Sequence, residues 1–237
     1  VGTTTLVLNI AAKLARPDRS VVVAEMFLEC GSASPLLRQT PSVHLGKLLD
    51  ASSGPITREL LDRHLVATPF GFRLLFAPPR IDQSEQMAPA RAKAVLDALV
   101  GLADLVMVDL HNIGNPLLKE VVRGCEFISI VLEPEPIAIQ LARSTHEVLA
   151  SYGIEREAMG AVVVNRAALT GGMMLSEIES QLGSKIVGAV PPASECSALA
   201  HKAGSLLVVT QPDSKPAAVL AAIAGRFAAR AVGSLQG

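Results

Sequence analysis

Tryptophan is absent from this 237-residue chain, and aromatic residues make up only 3% of it. Large rings cannot carry the core, so a 50% hydrophobic content has to be packed from Val, Leu, Ile and Ala. That composition suits a parallel sheet covered by helices on both faces. An excess of one charge is missing too: 21 basic against 22 acidic residues leave a formal net charge of -1. No strong field then draws the chain to DNA or to acidic membrane, and strong nucleic-acid binding is not expected. Cysteine is scarce, with Cys30, Cys125 and Cys196 far apart and in no metal or redox spacing. Such an odd, scattered set fits a reducing cytoplasm and a packing role for each thiol. No apolar run reaches the length of a transmembrane helix, and the N-terminus lacks the pattern of a signal peptide. A cytoplasmic location is the expectation.

What is present is an alternation. Apolar runs of strand length at 20–26, 72–77, 105–110, 127–132, 161–165 and 186–190 are interleaved with helix-period segments. The segments fall at 4–15, 87–102, 116–123, 137–152, 174–182, 195–202 and 217–232. This order predicts α/β architecture: a doubly wound, mostly parallel sheet with helices on both faces, in one domain over 1–237. Pro78-Pro79 and Pro191-Pro192 each follow a strand, where proline ends pairing and stiffens the turn. From 31 to 63 the rhythm breaks into short helical pieces at 45–50 and 56–61. The last helix gathers Ala, Val, Leu, Ile and Phe on one face, with Arg226 and Arg230 opposite. It is expected to dock on the sheet, because it has too few basic residues for a membrane-targeting helix.

Three places carry chemistry. Val1-Gly2-Thr3-Thr4-Thr5 runs straight into a helix and reads as the second half of a phosphate-binding loop. There, backbone N–H groups cradle phosphates and a first-turn hydroxyl holds Mg²⁺; a plain helix N-cap is the alternative. The chain thus opens inside a motif, so a first strand and the start of the loop are expected ahead of Val1. Asp109 ends an apolar strand and is followed by Leu110-His111-Asn112-Ile113-Gly114. In an open parallel sheet ligands bind beyond the carboxyl ends of strands, so this carboxylate suits a nucleotide's Mg²⁺ shell. Asn165-Arg166 and Pro191-Pro192 close two further strands. An Asn amide both donates and accepts, which suits the edge of an adenine ring, and a proline turn can lie against its face. His44, His64, His111, His146 and His201 show no ligand spacing, and Glu133 and Glu135 read as a solvated loop.

In this order the motifs resemble the deviant P-loop ATPases of the MinD and ParA type. Their pattern is Lys-Gly-Gly-x-Gly-Lys-Thr-Thr, a strand ending in Asp-x-Asp, an apolar strand ending in Asp, then Asn-Arg and a proline turn. The Gly-Thr-Thr-Thr loop, the 21–24 strand leading to 31–37 and the 187–194 run are most similar to the CpaE/TadZ branch of pilus-assembly localisation proteins. The resemblance implies ATP and Mg²⁺ as cofactors. It implies nucleotide contacts at Gly2, Thr3, Thr4, Thr5, Asn165, Arg166, Pro191 and Pro192, and metal contacts at Thr4 and Asp109. Thr3 stands where the family has the lysine of the β- and γ-phosphates, Glu25 at the first Asp of Asp-x-Asp and Phe27 at the second. Phenylalanine can neither orient a water nor accept a proton, so no catalytic residue is assigned and hydrolysis is expected to be impaired. The implied function is an ATP-binding, weakly hydrolytic or non-hydrolytic scaffold. It would be a homodimer that localises a Tad-type pilus or secretion apparatus, reaching a pole or the inner membrane face only through partners. An active positioning or partition ATPase and an interaction module with a vestigial nucleotide site are the alternatives.

Overall fold

The computed structural model describes residues 2–28, 30–50, 54–79, 89–110, 117–166 and 173–233. Along the chain come α1 (Thr3–Leu14), β1 (Val21–Glu25), α2 (Ala33–Leu36), α3 (Leu45–Leu49), α4 (Arg58–Asp62), β2 (Val66–Ala67) and β3 (Arg73–Leu75). Then follow α5 (Pro89–Val100), β4 (Leu105–Asp109), α6 (Leu118–Val122), β5 (Ile128–Leu132) and α7 (Pro136–Ser151). A 3₁₀ turn (Arg156–Ala158) leads into β6 (Met159–Val164), α8 (Leu175–Leu182) and β7 (Lys185–Val190). The chain continues through α9 (Ser194–Lys202), α10 (Leu207–Thr210) and α11 (Lys215–Gly233). The six expected strands and seven expected long helices all form, with ends shifted by a residue or two. His111, Asn112, Ile113, Gly114 and Pro116 lie outside the described residues.

The strands join into two sheets, β2-β3-β1-β4 and β5-β6-β7. All pairings are parallel except β2 with β3. Successive residues of a strand point to opposite faces, and β1 shows why its Val-Val-Val-Ala run is apolar throughout. Val21 and Val23 enter one core cluster, with α1, α10 and α11, while Val22 and Ala24 enter another, with α3 and α5. The first cluster also takes Val162 of β6 and Val187 of β7, so one helical layer covers both sheets. On the other face α7 and α8 cover β6 through Ile139, Ala142, Ile178 and Leu182. Helices therefore flank the strands on both faces, as the sequence predicts.

The last helix docks as expected, and glycine is what lets it approach. A Cβ at Gly188 of β7 would lie 2.4 Å from Ile223 Cγ1 of α11. Arg226 and Arg230, expected opposite the docked face, reach back to the sheet instead: Arg230 stacks 4.1 Å from the Phe127 ring centroid, and Arg226 donates to the Val187 carbonyl.

β4 and β5 depart from expectation. Both read as fully buried strands, yet four of the five residues in each are half-buried. Among the described residues, β4 pairs only with β1 and β5 only with β6, so each has one unpaired edge.

Candidate functional site

β1 and β4 run in register, so their last residues, Glu25 and Asp109, end side by side. Both are fully buried. The first turn of α1 arrives at the same place, because Gly2 takes a left-handed conformation at φ 94° that an L side chain rarely adopts. There Thr4 Oγ1 donates to Asp109 Oδ2 at 2.6 Å, and Ser32 Oγ donates to Thr4 Oγ1 at 2.7 Å. Two hydroxyls and a carboxylate thus meet at a helix N-terminus. Hard oxygen donors of this kind fit Mg²⁺. The start of α1 has no side-chain cap, leaving first-turn N–H groups and the positive end of the helix dipole for an anion.

Glu25 does something different from what its place in the motif suggests. Its Oε1 accepts the Ala33 N–H at 2.8 Å and its Oε2 the Ala77 N–H at 2.9 Å. A Cβ at Gly31 would come within 2.6 Å of Oε2, so the loop passes against the carboxylate only as glycine. Glu25 therefore ties the 31–33 loop and the segment after β3 to the end of β1, and this loop delivers Ser32 to Thr4. Burial lifts its pKa from 4.5 to about 6; the backbone N–H groups oppose the rise and the Asp109 charge adds to it. Phe27, two residues on, is fully buried and presents no group to water.

The second group forms at the ends of β6 and β7. The Asn165 N–H donates to the Val190 carbonyl at 2.9 Å, which holds Asn165 beside the turn at Pro191-Pro192. Its Oδ1 is buried without a hydrogen-bond partner among the described residues, an arrangement that asks for a donor. Arg166 turns instead to Glu133, at 3.6 Å. Glu133 is therefore ion-paired, with 28% of its side chain exposed, rather than simply solvated.

Thr3 and Thr5 are half-buried, and neither hydroxyl has a hydrogen bond among the described residues. Ser32 is the residue that sequence reasoning missed; its only signal was a small hydroxyl next to a glycine shortly after β1. Cys30 corrects the expected packing role. It is exposed on the same loop, with its Sγ 3.1 Å from the Pro79 carbonyl oxygen.

No family model matches the sequence, and no curated protein matches it either. Solved structures do. A ParA family ATPase from Chlorobium tepidum superposes with TM-score 0.84 at 19% identity, over 94% of this chain and 93% of that one. The septum site-determining protein MinD of Pyrococcus horikoshii, complexed with Mg-ADP, gives 0.82 at 17% identity over 95% and 90%. A plasmid partition protein of Borrelia burgdorferi bound to AMPPNP gives 0.74 at 11% over 97% and 94%. At these identities the likeness concerns the fold, and the chain has the fold of the MinD and ParA ATPases.

Proposed function

We propose that this chain binds ATP with Mg²⁺ at the start of α1 and hydrolyses it slowly or not at all. The observation that carries this reading is the 2.6 Å contact of Thr4 with Asp109 at an uncapped helix N-terminus. First-turn N–H groups of α1 hold phosphate oxygens, Thr4 and Asp109 hold Mg²⁺, and Asn165 with the Pro191-Pro192 turn holds the adenine. Bound Mg²⁺ neutralises charge on the phosphates. Thr3 supplies no positive charge where a lysine would stabilise the γ-phosphate, and buried Phe27 leaves no carboxylate there to orient a water. MinD with Mg-ADP and the partition protein with AMPPNP, on the same fold, support the choice of ligand.

A nucleotide held without turnover suits a long-lived homodimer acting as a fixed landmark. The sequence resemblance to the CpaE/TadZ branch supplies the cargo in this reading, a Tad-type pilus or secretion apparatus. The MinC:MinD complex of Aquifex aeolicus shows that a protein with this fold docks a partner. Calorimetric titration with ATP-Mg²⁺ and a phosphate-release assay test the proposal. Binding that Asp109→Ala abolishes, with little phosphate released, is expected. Turnover typical of an ATPase, at about 1 s⁻¹ or faster and lost in Asp109→Ala, would favour an active positioning or partition ATPase.

A further inference from the structure

At the end of β6 and β7 opposite Asn165, a cavity of about 410 Å³ opens between α7, the 3₁₀ turn and the C-terminal end of α8. Its place is fixed by the strands: Met159 begins β6 and Ser184 immediately precedes β7, and both line it. Ile154 and Leu182 add apolar wall. Pockets of roughly 300–1,000 Å³ are the size that small organic molecules occupy.

The polar lining is basic. Arg143 and Arg156 both face this space, and neither makes an ion pair or a side-chain hydrogen bond among the described residues. The Arg156 guanidinium lies against Gly183, where a Cβ would be 3.3 Å from its carbon and both terminal nitrogens. That glycine, at φ +64°, closes α8 and leaves room for the guanidinium. Two more lining residues hold buried polar atoms without hydrogen-bond partners among the described residues, His146 Nε2 and Ser184 Oγ. Buried polar atoms are seldom left so. Against two arginines, Glu147 is the one acid among the described lining residues.

We propose that this cavity is a second ligand site, separate from the Thr4–Asp109 site, for a small organic oxyanion with a phosphate or carboxylate head and an apolar body. The two guanidinium groups take the head, since planar N–H forks match both anions. His146 Nε2 and Ser184 Oγ complete its hydrogen bonds, and Ile154, Met159 and Leu182 take the body. Burial is the main cause that lowers the His146 pKa, with the Arg156 charge adding to it and the neighbouring Leu182 backbone opposing it.

Titration of the 237-residue chain with phenyl phosphate, benzoate and inorganic phosphate tests this, read by heat and by the ring-nitrogen resonances of His146. Saturable binding of phenyl phosphate or benzoate that moves the His146 signals is expected, and the tighter of the two identifies the head group. Inorganic phosphate should bind about tenfold more weakly, because it leaves the apolar wall uncovered. Arg143→Gln with Arg156→Gln should weaken binding at least about tenfold, with the thermal melt unchanged because both side chains are exposed. Affinity that survives the double substitution, binding that leaves His146 unmoved, or no binding of any probe at millimolar concentration would overturn the proposal. So would displacement of phenyl phosphate by duplex DNA.

Discussion

Glu25 is a carboxylate that spends its two oxygens on backbone N–H groups, and its energetics follow from that. With its pKa raised from 4.5 to about 6, it binds its proton more tightly in the folded chain than in the unfolded one. The folded state then holds more protons between those values, so stability contributed by this group is present below pH 4.5 and lost as pH rises through 6. A shift of this size corresponds to about 2 kcal/mol. Urea unfolding from pH 4 to 7 should show that decline in the native sequence and not in Glu25→Gln; parallel curves for the two would refute it. Thr4 gives a second residue-scale outcome. Thr4→Val leaves the buried Asp109 carboxylate without its hydroxyl donor, at a cost of about 1–3 kcal/mol, whereas Thr4→Ser should recover most of that. Denaturant midpoints of the two variants decide it. At this scale the sequence was half legible. Thr4 and Asp109 announce themselves by residue type and position, but the clamp at Glu25 does not, because its partners are the amides of Ala33 and Ala77. Backbone groups carry no side-chain signature, so nothing in the one-letter sequence marks them as partners.

Among elements, the tightest fit is α11 on β7. Gly188→Ala sets a methyl against Ile223 and should cost about 1–3 kcal/mol by overpacking. Ile223→Ala alone leaves a cavity and should cost about 2–5 kcal/mol. Together they should cost less than the sum, since each relieves the other, and a double-mutant cycle on thermal melts measures that coupling. Additive losses would mean that the helix shifts rather than clashes. The long helices and strands were legible because their periodicity runs over many residues. Four short elements, Ala33–Leu36, Val66–Ala67, Arg156–Ala158 and Leu207–Thr210, were not, since two to four residues cannot display a period.

For the whole molecule, the proposed site makes a demand on association: a nucleotide-held homodimer forms only with ATP-Mg²⁺ and stops at two copies. Light scattering over a concentration series, with and without ATP-Mg²⁺, tests it. A nucleotide-dependent step to twice the monomer mass is expected, and a monodisperse monomer under every condition would count against it. The helical layer shared by the two sheets also has a consequence in time. Asn9, nearly fully buried in α1, accepts the Val208 N–H at 3.0 Å across 199 residues, and α1 packs beside α11. A ribosome therefore finishes α1 well before two of its partners, α10 and α11, are made, although β1 and β3 follow early. The part of the α1 surface that these late helices cover stays open until residues 207–233 emerge. Contacts so distant in sequence also slow folding, so the nascent chain is open to wrong associations until α11 is made.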